Sequence, residues 1–140
     1  DAIACLEKTE IIACHHEQAA AMAATYYWRT CGKVAAVLVT TGAGSTNALT
    51  GVAAAWMDSI PILVLSGNEA TQHHGVGGRG WGFQGYDSPK VAAPFCKLAS
   101  RMCKGDDYKQ YLEWHLESAL ECRQGPVWVD IPKDLQNELV

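Results

Sequence analysis

IIACHHEQAAAMAATYYWRTCGKVAAVLVTTGAGSTN, residues 11–47, is the stretch that decides the fold. A short apolar run ends at two histidines and Glu17, an alanine-rich segment follows to Gly32, and a β-prone run leads into the glycine turn Gly42-Ala43-Gly44. Alanine favours helix, and a continuous apolar run is typical of a strand buried on both faces. The stretch predicts strand, helix and strand, with Glu17 and the glycine turn at the carboxyl edge of a parallel sheet, where ligands bind.

The rest of the chain continues this alternation. It predicts an α/β fold: a three-layer, doubly wound, mostly parallel sheet with helices on both faces. Residues 1–8 resemble a helix end and not a strand, so the first strand of the sheet is expected to be missing. The helix at residues 17–30 is expected to be buried on all sides. The expected strands are residues 9–14, 34–40, 62–65, 95–99 and 127–131. The other expected helices are residues 45–57 and a helical turn at residues 88–93. Asp106 or Asp107 is expected to cap a further helix whose inward side chains are Tyr108, Tyr111, Leu112, Leu116, Ala119 and Leu120.

Composition narrows the class of protein. A length of 140 residues predicts one domain. A net charge of −4 with a pI near 5.7 argues against nucleic acid as a partner, and the apolar runs are too short to span a membrane. The first residues show no signal-peptide pattern. Six cysteines without a C-x-x-C pair indicate reduced thiols in a cytoplasmic protein, with one disulfide as the alternative.

Glu17 is the first candidate for chemistry. Apolar helical surroundings raise the pKa of a carboxyl group by desolvation, while the amino end of a helix favours the anion. A carboxyl group balanced in this way could exchange a proton with a ligand nitrogen. The plain alternative is a first-turn glutamate that only stabilises the helix dipole.

The glycine turn, GAGSTN at residues 42–47, partly matches the dinucleotide-binding pattern G-x-G-x-x-G, but Asn47 replaces the third glycine. The alternative is a tight turn whose glycines allow close approach of another group.

Two histidine pairs, at residues 15–16 and at His73 and His74, do not predict a metal site. Adjacent side chains on a strand point to opposite faces, and no H-x-x-x-H spacing is present. His73 and His74 lie in the glycine-rich segment 69–86, which predicts a functional or mobile loop. They are candidates for proton shuttling because histidine titrates near neutral pH, although loop histidines that are only solvated are the commoner case.

Three segments together resemble the pyrimidine-binding domain of thiamine-diphosphate enzymes of the acetolactate synthase type: HHEQAAAMAA, GKVAAVLVTTGAGSTNALTGVAAAWMDSIPILVLSGN and GPVWVDIPKDLQ. The resemblance implies that Glu17 bonds the aminopyrimidine ring and promotes its imino tautomer, so that the cofactor attacks a 2-oxo acid. It also implies an active-site glutamine at Gln84. His73 and His74 look instead like the paired histidines of pyruvate-type decarboxylases, so the reaction stays open between decarboxylation and carboligation. The cofactor-binding residues implied are Glu17, Thr41, Gly42, Gly44 and Asn47.

The chain also departs from that family. Its turn has Ala43 where the family's T-S-G-P-G has proline, and only Gly105-Asp106-Asp107 approaches the motif that holds diphosphate and magnesium. The resemblance therefore implies a chain truncated at both ends that binds the aminopyrimidine half of thiamine diphosphate. Mg²⁺ would come only through a partner diphosphate-binding domain or subunit, in a homo- or hetero-oligomer. The alternatives are a non-catalytic binding or assembly module and a small nucleotide-binding protein.

Overall fold

A four-stranded parallel sheet with helices on both faces organises residues 9–76 and 79–137, which the computed structural model describes. The strand order is β1-β2-β4-β3, and every neighbouring pair is parallel. The predicted α/β class is confirmed, while the helix end proposed for residues 1–8 lies outside the described residues. The elements are α1 (Glu17–Cys31), β1 (Ala36–Val39), α2 (Ala43–Met57), β2 (Leu63–Asn68), α3 (Ser88–Ala92), β3 (Leu98–Arg101), α4 (Tyr108–Leu120) and β4 (Val127–Pro132), with 3-10 turns at Thr71–His73, Ala93–Phe95 and Leu135–Asn137.

Two apolar cores sandwich the sheet. Helices α1 and α2 pack on Val37, Val64 and Trp128, and α4 packs on the opposite face over Leu63 and Val129. Successive side chains of a strand point to opposite faces, so alternate residues of β2 and β4 fill the two cores. The central strands are therefore covered on both sides, as the continuous apolar runs of a parallel sheet indicate.

The prediction that β1 is buried on both faces is wrong. Its exposure alternates, and Leu38 is 61% exposed while Val37 and Val39 are buried. The reason is position: among the described strands β1 lies at the edge of the sheet, and α4 contacts β2, β3 and β4 on the face to which Leu38 points. An apolar run predicts a strand but cannot show which helices cover it.

The strand predicted at residues 9–14 is also wrong. These residues have no regular secondary structure and are exposed, and Ile11 and Ile12 keep 57% and 76% of their surface accessible. A strand needs hydrogen bonds from a neighbour. Within the described part of the chain, β1 pairs only with β2 and no strand pairs with residues 9–14.

Helix α1 ends at Cys31, one residue beyond the predicted end, and Gly32 follows it. Gly32 adopts the left-handed conformation, with φ of 66°, and its N–H bonds the carbonyl of Trp28 over 2.8 Å. The prediction that the whole helix is buried is wrong, since Tyr26 is 64% exposed and Ala19 and Ala23 are also exposed. The cause is that α1 buries the face that packs on α2 and leaves the other side uncovered.

The second half of the chain follows the predicted order with shifted boundaries. Asp107 caps α4 by accepting a hydrogen bond from the amide of Gln110. The inward position predicted for Leu120 is wrong, since its side chain is 43% exposed. His115, which the prediction did not place inward, is fully buried. Strand β3 begins at Leu98, three residues later than predicted, because a 3-10 turn occupies Ala93–Phe95. None of the helices in the described ranges has the length and apolar character needed to cross a bilayer.

Candidate functional site

The carboxyl edge of the sheet gathers the ends of β1, β2 and β4 around the glycine turn. Gly42 begins α2 with a φ of 68°, a left-handed conformation that favours glycine. Ser45 donates its hydroxyl to the Gly42 carbonyl over 2.9 Å and is hydrogen-bonded to the Tyr86 hydroxyl over 2.8 Å. Because Ser45 gives its proton to Gly42, the Tyr86 hydroxyl is the donor to Ser45 Oγ, and burial raises the pKa of Tyr86.

Glu17 reaches the glycine turn from the first turn of α1. The preceding His16 caps the helix by accepting a bond from the amide of Gln18. Glu17 Oε2 accepts a hydrogen bond from Asn47 Nδ2 over 3.1 Å. A β-carbon placed on Gly44 would stand 3.2 Å from Glu17 Oε1, so the carboxylate lies directly on the first turn of α2.

The packing of α1 on α2 sets this position. Gly51 approaches α1 so closely that an added β-carbon would lie 2.5 Å from the β-carbon of Ala21 and 3.0 Å from the amide nitrogen of Met22. Glu17 and Ala21 are one helical turn apart on the same face of α1. The small residues that bring the two helices together therefore also bring Glu17 onto Gly44.

The pKa of the Glu17 carboxyl group is lowered from its ordinary value of 4.5. The largest cause is the hydrogen bond from Asn47, followed by a bond to the backbone amide of Glu17 itself, and partial burial opposes both. Hydrogen bonds to the charged form favour it, so Glu17 is an anion at neutral pH. The lowered pKa favours the anion over the shared proton that the sequence suggested.

Gln84 covers the other glycine of the turn. A β-carbon on Gly42 would lie 2.7 Å from both the β-carbon and Oε1 of Gln84. The Gln84 side chain is otherwise exposed. Two predicted site residues from distant segments, Gln84 at Gly42 and Glu17 at Gly44, thus flank the same turn.

Thr41 is joined to a buried polar network that sequence reasoning missed. Its hydroxyl donates to Asn68 Oδ1 over 3.3 Å, and Asn68 Nδ2 donates to both carboxylate oxygens of Asp130, over 2.9 and 3.0 Å. Asp130 is fully buried and also accepts from Arg101 Nε over 2.6 Å and from the Ser88 hydroxyl. A carboxylate inside the apolar strand VWVDIP was the available signal for Asp130.

The two loop histidines are not brought to Glu17. His74 bonds the backbone carbonyl of Glu69 over 2.7 Å, and its ring stacks on Trp81 with a centroid distance of 4.4 Å. His73 is exposed, with Nε2 3.3 Å from Gln72 Nε2. Among the described residues, no contact joins either histidine to Glu17, and their role in proton transfer stays a prediction.

Other chemistry-bearing groups lie apart from this edge. Within residues 9–76 and 79–137, no cluster of three or more His, Cys, Asp or Glu side chains is placed to hold a metal ion. The five cysteines in these ranges are all free thiols. A groove along α4 is lined by acidic and aromatic residues such as Glu113 and Trp114, and none of the predicted site residues lines it.

A parallel α/β sheet that presents a carboxylate, a glycine turn and an amide at its carboxyl edge has the arrangement typical of ligand-binding α/β domains. Residues 1–90 match the family described as thiamine pyrophosphate enzyme, N-terminal TPP binding domain. The chain belongs to this family, and Glu17, the glycine turn and Gln84 all fall within the matched region.

Similar proteins include acetolactate synthase large subunits. The isozyme 3 large subunit of Escherichia coli (strain K12) is 43% identical over 122 residues, which is 87% of this chain and 21% of that protein. The large subunit of Haemophilus influenzae is 40% identical over 137 residues, 98% of this chain and 23% of that protein. The large subunit of Corynebacterium glutamicum is 35% identical over 130 residues, which is 93% of this chain and 20% of that protein. The chain spans about one fifth of the length of these relatives.

Proposed function

We propose that the chain, as a single domain, supplies the pyrimidine-binding half of a thiamine-diphosphate site in a 2-oxo acid decarboxylase or carboligase of the acetolactate synthase type. One observation carries the proposal. Asn47 holds the Glu17 carboxylate on the glycine turn at the carboxyl edge of the sheet, inside the region that matches the family.

The residues at this edge fit an aminopyrimidine ring. The ring offers nitrogen atoms that bond a carboxyl group, and the Glu17 carboxylate is the group of that kind beside the glycine turn. Glu17 would bond a ring nitrogen, and Thr41, Gly42, Gly44 and Asn47 would form the surface beneath and beside it. Thiamine diphosphate, when bound, supplies the carbon nucleophile and the electron sink for decarboxylation, while the protein supplies orientation and electrostatics.

Glu17 would hold and share the proton of this site. Its anion accepts a proton poorly in the open edge because Asn47 lowers its pKa. Covering the edge with a ligand and a partner domain removes water, and desolvation raises a carboxyl pKa toward the range where a proton is shared at neutral pH. Gln84, at the rim of the turn, would orient the substrate with its amide, and His73 and His74 remain candidates for proton relay on the loop.

A second domain or subunit would complete the site. The diphosphate and its Mg²⁺ need oxygen ligands held in a fixed arrangement, and the described residues contain no cluster of three or more His, Cys, Asp or Glu side chains placed to hold a metal ion. The acetolactate synthase large subunits that the chain resembles are about five times as long as this chain, so other parts of such proteins have room for those ligands. We therefore propose a homo- or hetero-oligomer in the cytoplasm, the compartment that free cysteines without C-x-x-C pairing favour.

A chimaera tests this function. The matched segment of the E. coli isozyme 3 large subunit is replaced by this chain, and carbon dioxide release from 2-oxo acids is measured with thiamine diphosphate and Mg²⁺. Glu17→Gln is expected to slow release by roughly 100-fold or more, the usual contribution of a positioned proton donor or acceptor. Glu113→Gln, on the exposed side of α4, serves as the matched control and should leave the rate unchanged.

Full activity of the Glu17→Gln chimaera would show that the assigned role is wrong. Calorimetry of the chimaera with thiamine diphosphate tests the alternative of a non-catalytic module. A folded chimaera without affinity for thiamine diphosphate would favour a non-catalytic binding or assembly module.

A further inference from the structure

The segment that carries Gln84 forms a closed turn. The backbone of Trp81 and Gly85 exchanges two hydrogen bonds of 2.8 Å, Trp81 N–H to Gly85 O and Gly85 N–H to Trp81 O. Gln84 lies inside this closed turn, next to the exposed Phe83. The position of Gln84 over Gly42 therefore depends on what holds the turn.

The carboxylate of Glu69 fills the inside of the turn. Glu69 Oε1 accepts hydrogen bonds from the backbone N–H groups of Phe83 and Gln84, each over 3.2 Å. Consecutive backbone N–H groups that converge in this way form an anion-binding concavity, and here the anion comes from the chain itself.

Two glycines make room for this carboxylate. A β-carbon on Gly82 would lie 2.8 Å from the carboxyl carbon of Glu69, and one on Gly85 would lie 2.6 Å from its Cγ. Gly82 also has a φ of 56°. The glycine content of this loop thus has a local steric explanation, which is to allow Glu69 to enter the turn.

The outer side of the turn is tied to the sheet through Trp81. The Arg101 guanidinium lies 4.4 Å from the Trp81 ring centroid and bonds the buried Asp130. The His74 ring stacks on Trp81 while bonding the Glu69 backbone carbonyl. Trp81, at the base of the turn, therefore contacts both Arg101 and His74, while Phe83 and Gln84 are held by Glu69.

We propose that Glu69 is a positioning residue that sets Gln84 over the glycine turn through the amides of Phe83 and Gln84. Its consequence for activity rests on the proposed function, because Gln84 matters for catalysis only if this edge binds the cofactor. The effect on the turn itself does not depend on that function.

Amide hydrogen exchange, followed by NMR on the ¹⁵N-labelled full chain, tests the proposal. Glu69→Leu removes the acceptor, so the Phe83 and Gln84 amides should exchange about tenfold faster, as expected for the loss of a hydrogen bond to a charged group. Glu69→Gln keeps an acceptor oxygen and should restore slow exchange. Glu113→Leu, the same change on α4, should leave these two amides unaffected.

Unchanged exchange of Phe83 and Gln84 in Glu69→Leu would overturn the proposal. If that variant does not fold, amide exchange is measured in Glu69→Asp instead. This variant keeps the negative charge, but its side chain is one methylene shorter and should not reach both amides. Wild-type exchange of both amides in Glu69→Asp would then overturn it. In the chimaera, Glu69→Leu should lower kcat or weaken cofactor binding and Glu69→Gln should rescue it. Full activity of the Glu17→Gln chimaera would contradict the proposed function, but it would not change the amide-exchange result for Glu69.

Discussion

Asn47 and Glu17 lie thirty residues apart in sequence, yet Asn47 Nδ2 donates to Glu17 Oε2 over 3.1 Å. The bond joins the first turn of α1 to the second turn of α2, and it holds a carboxylate against Gly44. This hydrogen bond between two helices therefore places a negative charge beside the glycine turn at the carboxyl edge of the sheet.

Loss of the Asn47 amide should raise the pKa of Glu17. We expect Asn47→Leu to move the Glu17 titration upward toward 4.5, because this bond is the largest cause of the lowered value. A carbon-detected NMR titration of the Glu17 carboxyl group measures the shift. Thr50→Val, an exposed change on the same helix, should leave it unmoved, and an unmoved midpoint in Asn47→Leu would contradict the assignment.

The same shift predicts a pH dependence of stability. The folded pKa of Glu17 lies below its unfolded value, so the contribution of this bond to stability is present above about pH 4.5. It is lost as the pH falls through the folded pKa. The stability difference between wild type and Asn47→Leu should therefore shrink on acidification, which urea unfolding at several pH values would show.

Gly51→Ala should destabilise the chain although alanine favours helix. The added β-carbon would meet the β-carbon and backbone of Ala21 at 2.5–3.1 Å. Overpacking costs about 1–3 kcal/mol, more than the roughly 1 kcal/mol that alanine gains over glycine in a helix. Urea unfolding measures the difference. Thr50→Ala, the exposed neighbour on the same helix, should be neutral or slightly stabilising, and a stabilised Gly51→Ala would show that the helices are not in close contact.

Asp130→Asn should cost about 2–3 kcal/mol, because it leaves Arg101 Nε beside a neutral group in a buried network. Chemical unfolding monitored by tryptophan fluorescence measures the change. Asp134→Asn is the matched control, since Asp134 is exposed and bonds mainly Thr71, and it should stay within about 1 kcal/mol of wild type. Equal effects of the two changes would argue against a structural role for the Asp130 network.

Cys96 should resist alkylation in the folded chain. Burial raises the pKa of its thiol to about 12, which leaves roughly one thiol in ten thousand ionised at pH 8. Cys14, Cys31, Cys103 and Cys122 are exposed and should react with iodoacetamide first. Peptide mass spectrometry locates the labels. Labelling of Cys96 at the rate of Cys103 without denaturant would contradict the packing of the core on the α1–α2 side of the sheet.

Local patterns in the sequence were sufficient for much of the fold. The alanine-rich segment, Gly32 and the apolar run after it predict α1, its end and β1, because propensity and left-handed capping are local properties. Parallel topology then places Glu17 and the glycine turn at one edge, since the carboxyl ends of all strands meet there.

Features that depend on distant neighbours were not predictable. Residues 9–14 have a β-prone sequence but lack a described strand beside them, and Leu38 is exposed because no described helix covers that side of β1. The pairing of Arg101 with Asp130 joins residues 29 positions apart without any periodic signal. Glu69 likewise had no motif to mark it, because its role lies in the backbone amides of a turn that follows it in the chain.

Amide chemical-shift mapping tests the central claim most directly. The ¹⁵N-labelled chain is titrated with millimolar thiamine diphosphate and Mg²⁺, and each backbone amide is followed. We predict that shifts concentrate at Glu17, the turn from Gly42 to Asn47, and Gln84, and that Glu17→Gln reduces them. Shifts centred on the α4 groove around Trp114, or shifts at this edge that Glu17→Gln leaves unchanged, would contradict the claim that this edge holds the aminopyrimidine.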